Sequence, residues 1–234
     1  TRARVLEIGS GTGRMLAGLA SAGHEVVGVE PSEAMRTRAV TRLAALPERV
    51  SRRVTQLAGS ANDLPSGLGR FDLALYSLGT LAHVLTAEER VASLRATRAL
   101  LSESGAAMID LDQAGLGQLL AAHGRRRLIA KWRVPGRAEQ VAHYAWARRD
   151  PVTAIVTVRH SYQISTGRER SEEARSEMAF ALLDGEAVLR ELAAASYGPT
   201  TTWGDHTGTR LDVSSPRLIV LAEGNASAHS TTNL

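Results

Sequence analysis

The sequence predicts a doubly wound α/β fold built on a mostly parallel sheet. In the first half of the chain, short apolar segments alternate with amphipathic segments of helical period, which is typical of parallel strands covered by helices on both faces. The first apolar segment runs into a glycine-rich turn. The 234 residues are 44% hydrophobic, enough for one core. We expect a single domain over residues 1–224 and a disordered tail over 225–234, where the sequence is small and polar.

The elements of the first half follow one another in a regular order. Pro47 follows the end of the second helix, and Thr86 and Glu89 have capping-box spacing at the start of the third. The strands are expected in "ARVLEIG", "HEVVGVE", "RRVTQLAG", "FDLALYSL" and "GAAMIDLD", and the helices in "RMLAGLASAG", "PSEAMRTRAVTRLAAL" and "TAEERVASLRATRALL".

After the fifth strand the pattern changes to partial alternation with period two. Four segments, "RRLIAKWRVPG", "EQVAHYAWARRD", "VTAIVTVRHSYQIS" and "ERSEEARSEMAFALL", are separated by turn-like breaks. They predict an antiparallel insertion over residues 125–182 that belongs to the same domain and covers the substrate. A helix in "DGEAVLRELAAAS" and strands in "YGPTTTWG" and "SPRLIVLAEG" complete the chain.

Composition excludes several classes of function. The chain has no cysteine, so disulfides, thiolate zinc sites and a cysteine nucleophile are ruled out, and a reducing, cytoplasmic location is expected. The net charge of +4 comes mainly from scattered arginines, which makes nucleic acid an unlikely partner. No apolar run reaches the roughly 20 residues of a membrane helix, and no ligand cluster has metal-like spacing.

The glycine-rich turn "VLEIGSGTG" raises the question of its ligand. A dinucleotide-binding turn needs G-x-G-x-x-G, and in that register Arg14 stands where the third glycine is required. The actual order is Glu7-x-Gly9-x-Gly11-x-Gly13. This argues against one candidate function, that of a nicotinamide-dependent dehydrogenase.

Two acidic residues narrow the choice of ligand. Glu7 ends the first strand, where it would repel a pyrophosphate and attract a positive charge. Glu30 ends the second strand, where a carboxylate can accept hydrogen bonds from both ribose hydroxyls. A ligand with a ribose, a cationic end and no phosphate is therefore expected, and S-adenosylmethionine fits this description.

The same segments resemble the class I S-adenosylmethionine-dependent methyltransferases of the small-molecule type. "VLEIGSGTGRMLAGLASAGHEVVGVEPSEAMRTRA" is similar to the first two motifs of that family, "LAGSANDLP" to the segment beside the adenine, and "FDLALYSLGTLAHV" to the fourth-strand motif. "LRATRALLSESGAAMIDL" resembles the next helix and strand. The resemblance covers Arg4 to Asp112 and returns in the last helix and strand. It implies a Rossmann-like sheet of seven strands with the last one antiparallel.

The resemblance also implies roles on the methionine and ribose side of the cofactor. Glu7 would face the methionine amino group, directly or through water. Gly9, Gly11 and Gly13 would line the methionine part, and Glu30 would hold the ribose hydroxyls.

On the adenine side, Pro31 and Met35 would lie near the base or the edge of the ribose, although Met35 could equally be helix core. Ser60 stands where the family often has an aspartate that bonds the adenine amino group, and serine can accept one such bond without a charge. Ala61 could supply backbone contacts.

The acceptor side is less marked in the sequence. Tyr76 and Ser77 would face the methyl group and the substrate, and His83 is the favoured catalytic base, with a surface or capping role as its alternative. Tyr76 is also assigned to substrate binding, although it could simply pack in the core. Further base candidates are His143, His160, Asp110 and Asp112.

The remaining candidates for substrate binding are His143, Tyr144 and Tyr162 in the insertion, with a hydrophobic core beneath it as the alternative. We therefore predict transfer of a methyl group to nitrogen or oxygen of a small molecule, with a homodimer compatible with the resemblance. The alternative is a non-catalytic relative that binds the cofactor or a partner subunit.

Overall fold

The computed structural model describes residues 2–65, 67–167 and 169–224, without the side chains of residues 169–172. The tail expected over residues 225–234 lies outside this part of the chain. Contacts divide the chain into two compact units, Thr1–Leu111 with Leu183–Leu234, and Asp112–Leu182.

The elements are numbered in chain order. The strands are β1 (Arg4–Ile8), β2 (Glu25–Glu30), β3 (Val54–Ala58), β4 (Phe71–Tyr76), β5 (Leu101–Asp112), β6 (Arg127–Arg133), β7 (Glu139–Arg149), β8 (Ile155–Thr166), β9 (Glu169–Ala181), β10 (Thr200–Trp203) and β11 (Arg217–Glu223). The α-helices are α1 (Arg14–Ser21), α2 (Glu33–Ala44), α3 (Glu48–Ser51), α4 (Ala87–Arg98), α5 (Gln113–Ala121) and α6 (Gly185–Ala194). Two short 3₁₀ helices span Ala61–Asp63 and Thr80–His83.

The first unit is built on a seven-stranded sheet of order β10-β11-β5-β4-β1-β2-β3 among the described residues. Strands β1 to β5 pair in parallel, whereas β11 pairs antiparallel with β10. The predicted fold class, a mostly parallel seven-stranded α/β sheet followed after β5 by an antiparallel sheet, is thus confirmed. Because β1 lies between β2 and β4, the carboxyl ends of these three strands meet at one edge, which is where open α/β sheets bind ligands.

Side-chain caps account for the beginnings of the main helices. Ser32 accepts a hydrogen bond from the Met35 amide at the start of α2. Thr86 accepts one from the Glu89 amide at the start of α4 and donates its own hydroxyl to the Glu89 carboxylate at 2.8 Å. Each cap satisfies an amide that has no partner within the helix, as the spacing of Thr86 and Glu89 predicted.

A glycine in β2 allows α1 to pack tightly on the sheet. A Cβ atom on Gly28 would lie 2.7 Å from Leu16 Cδ2 and 2.9 Å from Ser10 Cβ. Leu16 is fully buried against Val26 and its neighbours in the core. In a dinucleotide-binding turn, the third glycine of the G-x-G-x-x-G motif, which lies at the start of the helix, allows this close approach of helix and strand. Here the strand provides it, which explains how Arg14 can occupy that helix position.

The second unit is an antiparallel sheet of order β6-β7-β8-β9. Its core contains Ala145, Ala147, Val156 and Val158, packed against leucines of α5. Helix α5 was not among the predicted elements. Asp112 caps it by accepting a hydrogen bond from the Gly115 amide at 2.9 Å, and the compact unit of this helix and sheet spans Asp112–Leu182.

A buried ion pair joins α4 to α6 and predicts a large effect on stability. Arg90 donates to the two carboxylate oxygens of Glu191 at 2.8 and 2.6 Å, and both side chains are less than 10% exposed. Glu191→Ala would leave the Arg90 charge buried and unpaired, so we expect a loss of about 3–5 kcal/mol in the free energy of unfolding by urea denaturation. The control, Glu186→Ala, breaks the exposed pair with Arg190 and should cost no more than about 1 kcal/mol. Equal losses would contradict this assignment.

Candidate active site

The glycine-rich loop is fixed to the neighbouring strand by its backbone. The amides of Gly9 and Ser10 both donate to the Val29 carbonyl, at 2.8 and 3.0 Å. The Gly13 amide donates to the Ser10 carbonyl at 3.0 Å and closes the turn into α1. Gly9, Gly11 and Gly13 have φ angles of 68°, 56° and 72°, a left-handed conformation that glycine adopts readily.

The three glycines differ in what surrounds them. A Cβ on Gly9 would lie 2.6 Å from Thr80 Cγ2, and one on Gly13 would lie 2.9 Å from Ala39 Cβ. A Cβ on Gly11 would meet nothing closer than 4.0 Å. Gly9 and Gly13 therefore allow close packing within the protein, whereas Gly11 borders open space that a ligand can approach.

Glu7 is buried at the end of β1 with one carboxylate oxygen unpaired. Its Oε1 accepts a hydrogen bond from the Ser77 hydroxyl at 2.8 Å, while Oε2 has no partner among the described residues. Burial raises the pKa of Glu7 from its ordinary value of 4.5 to about 7. The hydrogen bond from Ser77 and the charge of Arg14 lower this pKa in part, whereas the negative charge of Glu30 raises it further. A buried, unpaired carboxylate oxygen is costly unless a ligand satisfies it.

Glu30 is also buried, and each of its oxygens accepts a hydrogen bond from the backbone. The Gly11 amide donates to Oε2 at 2.9 Å and the Ser32 amide donates to Oε1 at 2.8 Å. The Arg36 guanidinium holds the following turn by donating to the carbonyls of Glu30 and Pro31. An ionised carboxylate has about four acceptor positions, so Glu30 can accept two hydroxyls while it keeps the loop in place.

Ser60 has partners within its own turn. Its hydroxyl donates to Asp63 Oδ2 at 2.7 Å and accepts a long bond from the Asn62 amide at 3.3 Å. These interactions with Ser60 hold the pKa of Asp63 below its usual value. Ala61 beside it is buried, whereas Pro31 and Met35 are exposed. The adenine contacts expected of these residues remain predictions.

The structure corrects the expected orientation of Tyr76. Its side chain is fully buried, and its hydroxyl lies 2.9 Å from Ser93 Oγ and 3.2 Å from Thr97 Oγ1 on α4. Because side chains alternate along a strand, Tyr76 packs under α4, and it does not face the cofactor or the substrate. The adjacent Ser77 contacts Glu7 at the carboxyl edge of the sheet instead.

The expected base, His83, lies exposed at the end of the 3₁₀ helix that follows β4. A second histidine near the end of the sheet, His206, had no pattern in the sequence to single it out. His206 Nε2 lies 3.4 Å from Asp110 Oδ2, and Arg217 Nε donates to Asp110 Oδ1 at 2.6 Å. His206 follows β10 by three residues and no local motif distinguishes it, so only the fold could bring it to Asp110 at the end of β5.

In the second unit, two of the three expected substrate contacts lie together. The rings of His143 and Tyr162 stack with centroids 4.5 Å apart, and His143 Nε2 lies 2.9 Å from His160 Nδ1. Burial lowers the pKa of both histidines. Tyr144 lies on the opposite face of this sheet, where Arg126 stacks on its ring at 3.8 Å. Tyr144 therefore does not line the same surface as His143 and Tyr162, although the sequence assigned all three residues to substrate binding.

The residues at the carboxyl edge fit S-adenosylmethionine. Its methionine amino group would satisfy the unpaired Oε2 of Glu7, its ribose hydroxyls would occupy the free acceptor positions of Glu30, and the open space beside Gly11 would receive the methionine part. When bound, this cofactor supplies an activated methyl group on a sulfonium. In the described part of the chain, no group of three or more acidic residues or histidines could hold a metal ion.

Comparisons with known proteins agree with this fit. Residues 5–105 match the model of the methyltransferase domain. The comparison with curated proteins found no match. Among solved structures, CcbJ, a methyltransferase from Streptomyces caelestis, is 23% identical to this chain with a TM-score of 0.80, over 95% of this chain and 83% of that one.

Two further solved structures share the fold. CalS10, an amino pentose methyltransferase from Micromonospora echinaspora solved with S-adenosylmethionine bound, is 20% identical with a TM-score of 0.69 over 96% of this chain and 84% of that one. KedS8, a sugar N-methyltransferase from a Streptoalloteichus species, is 21% identical with a TM-score of 0.68 over 93% of this chain and 78% of that one.

Residues 5–105 thus match a methyltransferase domain, and the seven-stranded sheet has the fold of the solved methyltransferases named above. The chain is an enzyme that uses S-adenosylmethionine as its cofactor, as the domain match over residues 5–105 and the fit of Glu7 and Glu30 indicate.

The open space at Gly11 leads to a prediction that separates folding from binding. In Gly11→Ala the new methyl group meets no protein atom, so the left-handed backbone alone should cost about 1–2 kcal/mol in the free energy of unfolding. We expect cofactor affinity to fall at least tenfold by calorimetry, because the methyl group projects into the binding space. Gly13→Ala, with its contact to Ala39, should cost more stability. Unchanged affinity in Gly11→Ala would show that the ligand lies elsewhere.

Proposed function

We propose that the enzyme transfers the methyl group of S-adenosylmethionine to nitrogen or oxygen of a small molecule. The observation that carries this proposal is the unpaired Oε2 of the buried Glu7, which selects a cofactor with a cationic end at the reactive edge of the sheet. An amino sugar is the first acceptor to test, because CalS10 is an amino pentose methyltransferase and KedS8 a sugar N-methyltransferase.

Alignment and proton removal would contribute unequally to the rate. Holding acceptor and methyl group in line can supply about 7–11 kcal/mol of the barrier. A positioned base adds about 10²–10⁴-fold. A neutral amine can react without a base, whereas an alcohol or an ammonium needs one. The choice of acceptor therefore depends more on the walls of the site than on any one catalytic side chain.

A direct test follows radioactive methyl transfer from S-adenosylmethionine to a panel of amines and alcohols that contains amino sugars, amino acids and phenols. We expect transfer to at least one amine or hydroxyl compound. Tight cofactor binding without transfer to any panel member would favour the alternative, a non-catalytic relative that binds the cofactor or a partner subunit. Product analysis by mass spectrometry distinguishes a methylated nitrogen from a methylated oxygen.

We also propose that residues 125–182 cover the substrate, with His143 and Tyr162 as acceptor contacts. Their stacked rings form one surface of the antiparallel sheet, with the His160 ring beside them. Stacked aromatic and imidazole rings offer both apolar area and hydrogen-bonding atoms, which suits a polar small molecule.

This assignment predicts a selective effect on the acceptor. Tyr162→Ala should raise KM for the best panel acceptor about tenfold or more, because a stacking surface is lost, without changing the affinity for S-adenosylmethionine. Tyr144→Ala, on the opposite face, is the matched control and should leave KM close to the wild-type value. A larger effect of the control would assign the acceptor to the other face.

The remaining proposals concern partners and location. A homodimer through β6 is supported by the exposure of Leu128, Ile129 and Trp132 on this edge strand. Scattered arginines disfavour nucleic acid as the substrate. A cytoplasmic location is supported by the absence of cysteine from the sequence. Among the described residues, no helix has the length and apolar character of a membrane span.

A further inference from the structure

We propose that His206 is the general base for deprotonation of the acceptor and that Asp110 positions it. This rests on the proposed function, since it names a base for the same reaction. The two residues lie in the first unit, at the carboxyl end of β5 and in the connection between β10 and β11, and His206 Nε2 lies 3.4 Å from Asp110 Oδ2.

Asp110 is held in a fixed position. Its side chain is 13% exposed and pairs with Arg217, whose Nε donates to Oδ1 at 2.6 Å. The Leu78 amide lies 3.4 Å from Oδ2, and the Gly79 amide donates to the Asp110 carbonyl at 2.7 Å. These contacts leave Oδ2 facing the imidazole of His206, in the arrangement by which a carboxylate orients a catalytic histidine.

The loop that carries His206 is rigidly built. Asp205 Oδ1 accepts hydrogen bonds from the amides of Thr207 and Thr209 and from the Thr207 hydroxyl. Hydrogen bonds from Thr209 and Thr207 hold the pKa of Asp205 below its usual value, so this carboxylate is committed to its own turn. The Gly204 amide donates to the Thr209 carbonyl at 2.7 Å. The loop thus presents the His206 ring to Asp110.

This pair is connected to the cofactor site through the segment after β4. Leu78 has a φ of 53°, an unfavourable value for leucine that occurs mostly where the surroundings impose it. The preceding residue, Ser77, donates to Glu7, and Thr80 fills the space above Gly9. Arg217, which bonds Asp110, has a buried Nη2 without a partner among the described residues. One hydrogen-bond donor beside Asp110 is therefore left for a ligand or water.

The chemistry follows from the two ring nitrogens. With Nε2–H directed at Asp110, Nδ1 is the acceptor and takes the O–H proton of an alcohol or an N–H proton of an acceptor that arrives as an ammonium. The electron pair left on the substrate atom forms the bond to the methyl carbon, and the electrons of the broken carbon–sulfur bond stay on sulfur. The proton then leaves to water, since the His206 side chain is 62% exposed. Asp110 orients the ring throughout, and Arg217 holds Asp110 in place by donating to its other oxygen.

The first experiment needs no ligand. In the full-length protein labelled with ¹⁵N in its histidine rings, we expect the Nε2–H proton of His206 to exchange with water more slowly in the wild type than in Asp110→Ala. Asp212→Asn removes a carboxylate from the same connection, where among the described residues it bonds Ser214 and Ser215, and it should match the wild type. Equal exchange in the wild type and Asp110→Ala would overturn the positioning role. If Asp110→Ala does not fold, Asp110→Asn takes its place, with the same two outcomes.

The second experiment measures methyl transfer from S-adenosylmethionine to the panel amine or alcohol that the wild type methylates fastest. His206→Ala should lower kcat about 100-fold without changing KM for S-adenosylmethionine, and added imidazole should restore part of the rate. Unchanged kcat in His206→Ala, or a loss confined to His83→Ala, would overturn the proposal. If the wild type methylates no panel member, the proposed function fails, while the exchange measurement still decides the role of Asp110.

Discussion

Glu7→Gln is expected to gain stability relative to the wild type as the pH rises, while it loses cofactor affinity. In the folded protein, burial raises the pKa of Glu7 to about 7, whereas the unfolded value is 4.5. The folded state therefore binds the proton more tightly, and wild-type stability falls as the pH rises from 4.5 to 7. One pKa unit corresponds to about 1.4 kcal/mol, so the loss is roughly 3 kcal/mol. Glutamine carries no such charge.

The measurement is the free energy of unfolding of both proteins at pH 5 and pH 8. Because every other titrating group is common to both, the change in their difference reports on Glu7 alone. We expect that difference to move in favour of Glu7→Gln by up to about 3 kcal/mol. A difference that does not change with pH would mean that burial does not raise the pKa of Glu7.

Binding should change in the opposite direction. A hydrogen bond between charged groups contributes about 1.5–3 kcal/mol, so Glu7→Gln should weaken S-adenosylmethionine binding about 10- to 150-fold at pH 8. In the wild type, affinity should fall as the pH drops below 7, because Glu7 becomes protonated. 5′-Methylthioadenosine lacks the methionine amino group and is the control ligand. If Glu7→Gln weakens the binding of 5′-methylthioadenosine by the same factor as that of S-adenosylmethionine, the amino group is not the partner of Glu7.

Glu30→Ala is expected to have the largest effect on cofactor binding. The change removes the acceptor of the amides of Gly11 and Ser32, which hold the loop, and the acceptor that we propose for two ribose hydroxyls. Two hydrogen bonds to a charged acceptor contribute roughly 3–6 kcal/mol, so the dissociation constant should rise at least 100-fold. Unlike Glu7→Gln, this variant should bind 5′-methylthioadenosine poorly as well, because that ligand keeps the ribose.

His83→Ala is the control for Glu30→Ala, since His83 lies exposed at the end of the 3₁₀ helix after β4 and has no predicted contact with the ribose. Its cofactor affinity should stay close to the wild-type value. Glu30→Gln retains one acceptor oxygen, so its cofactor affinity should lie between those of Glu30→Ala and His83→Ala. Equal effects of Glu30→Ala and His83→Ala would mean that the ribose assignment is wrong.

The sequence predicted the parts of the site that depend on local order along the chain. Glu7, the glycine loop and Glu30 lie at the ends of consecutive strands, and a parallel sheet brings such ends to one edge. The capping pair Thr86 and Glu89 is also local. The strand alternation in the second half predicted the antiparallel sheet for the same reason.

What the sequence did not reveal depends on side-chain direction and on distant contacts. Tyr76 was placed on the wrong side of β4 because an apolar run buried on both faces carries no period-two signal. Gly28 substitutes for a helix glycine only because Leu16 packs against it. His206 and Asp110 are 96 residues apart and meet only once β10, β11 and β5 have formed one sheet.

We propose that the carboxyl edge of the first sheet binds S-adenosylmethionine through Glu7 and Glu30. Calorimetric titration of the wild-type protein with S-adenosylmethionine and with NAD tests it most directly. We expect S-adenosylmethionine to bind at one site per chain and NAD to give no measurable heat of binding. Binding of NAD alone would contradict the account, because the loop would then accept a pyrophosphate beside an unpaired buried carboxylate.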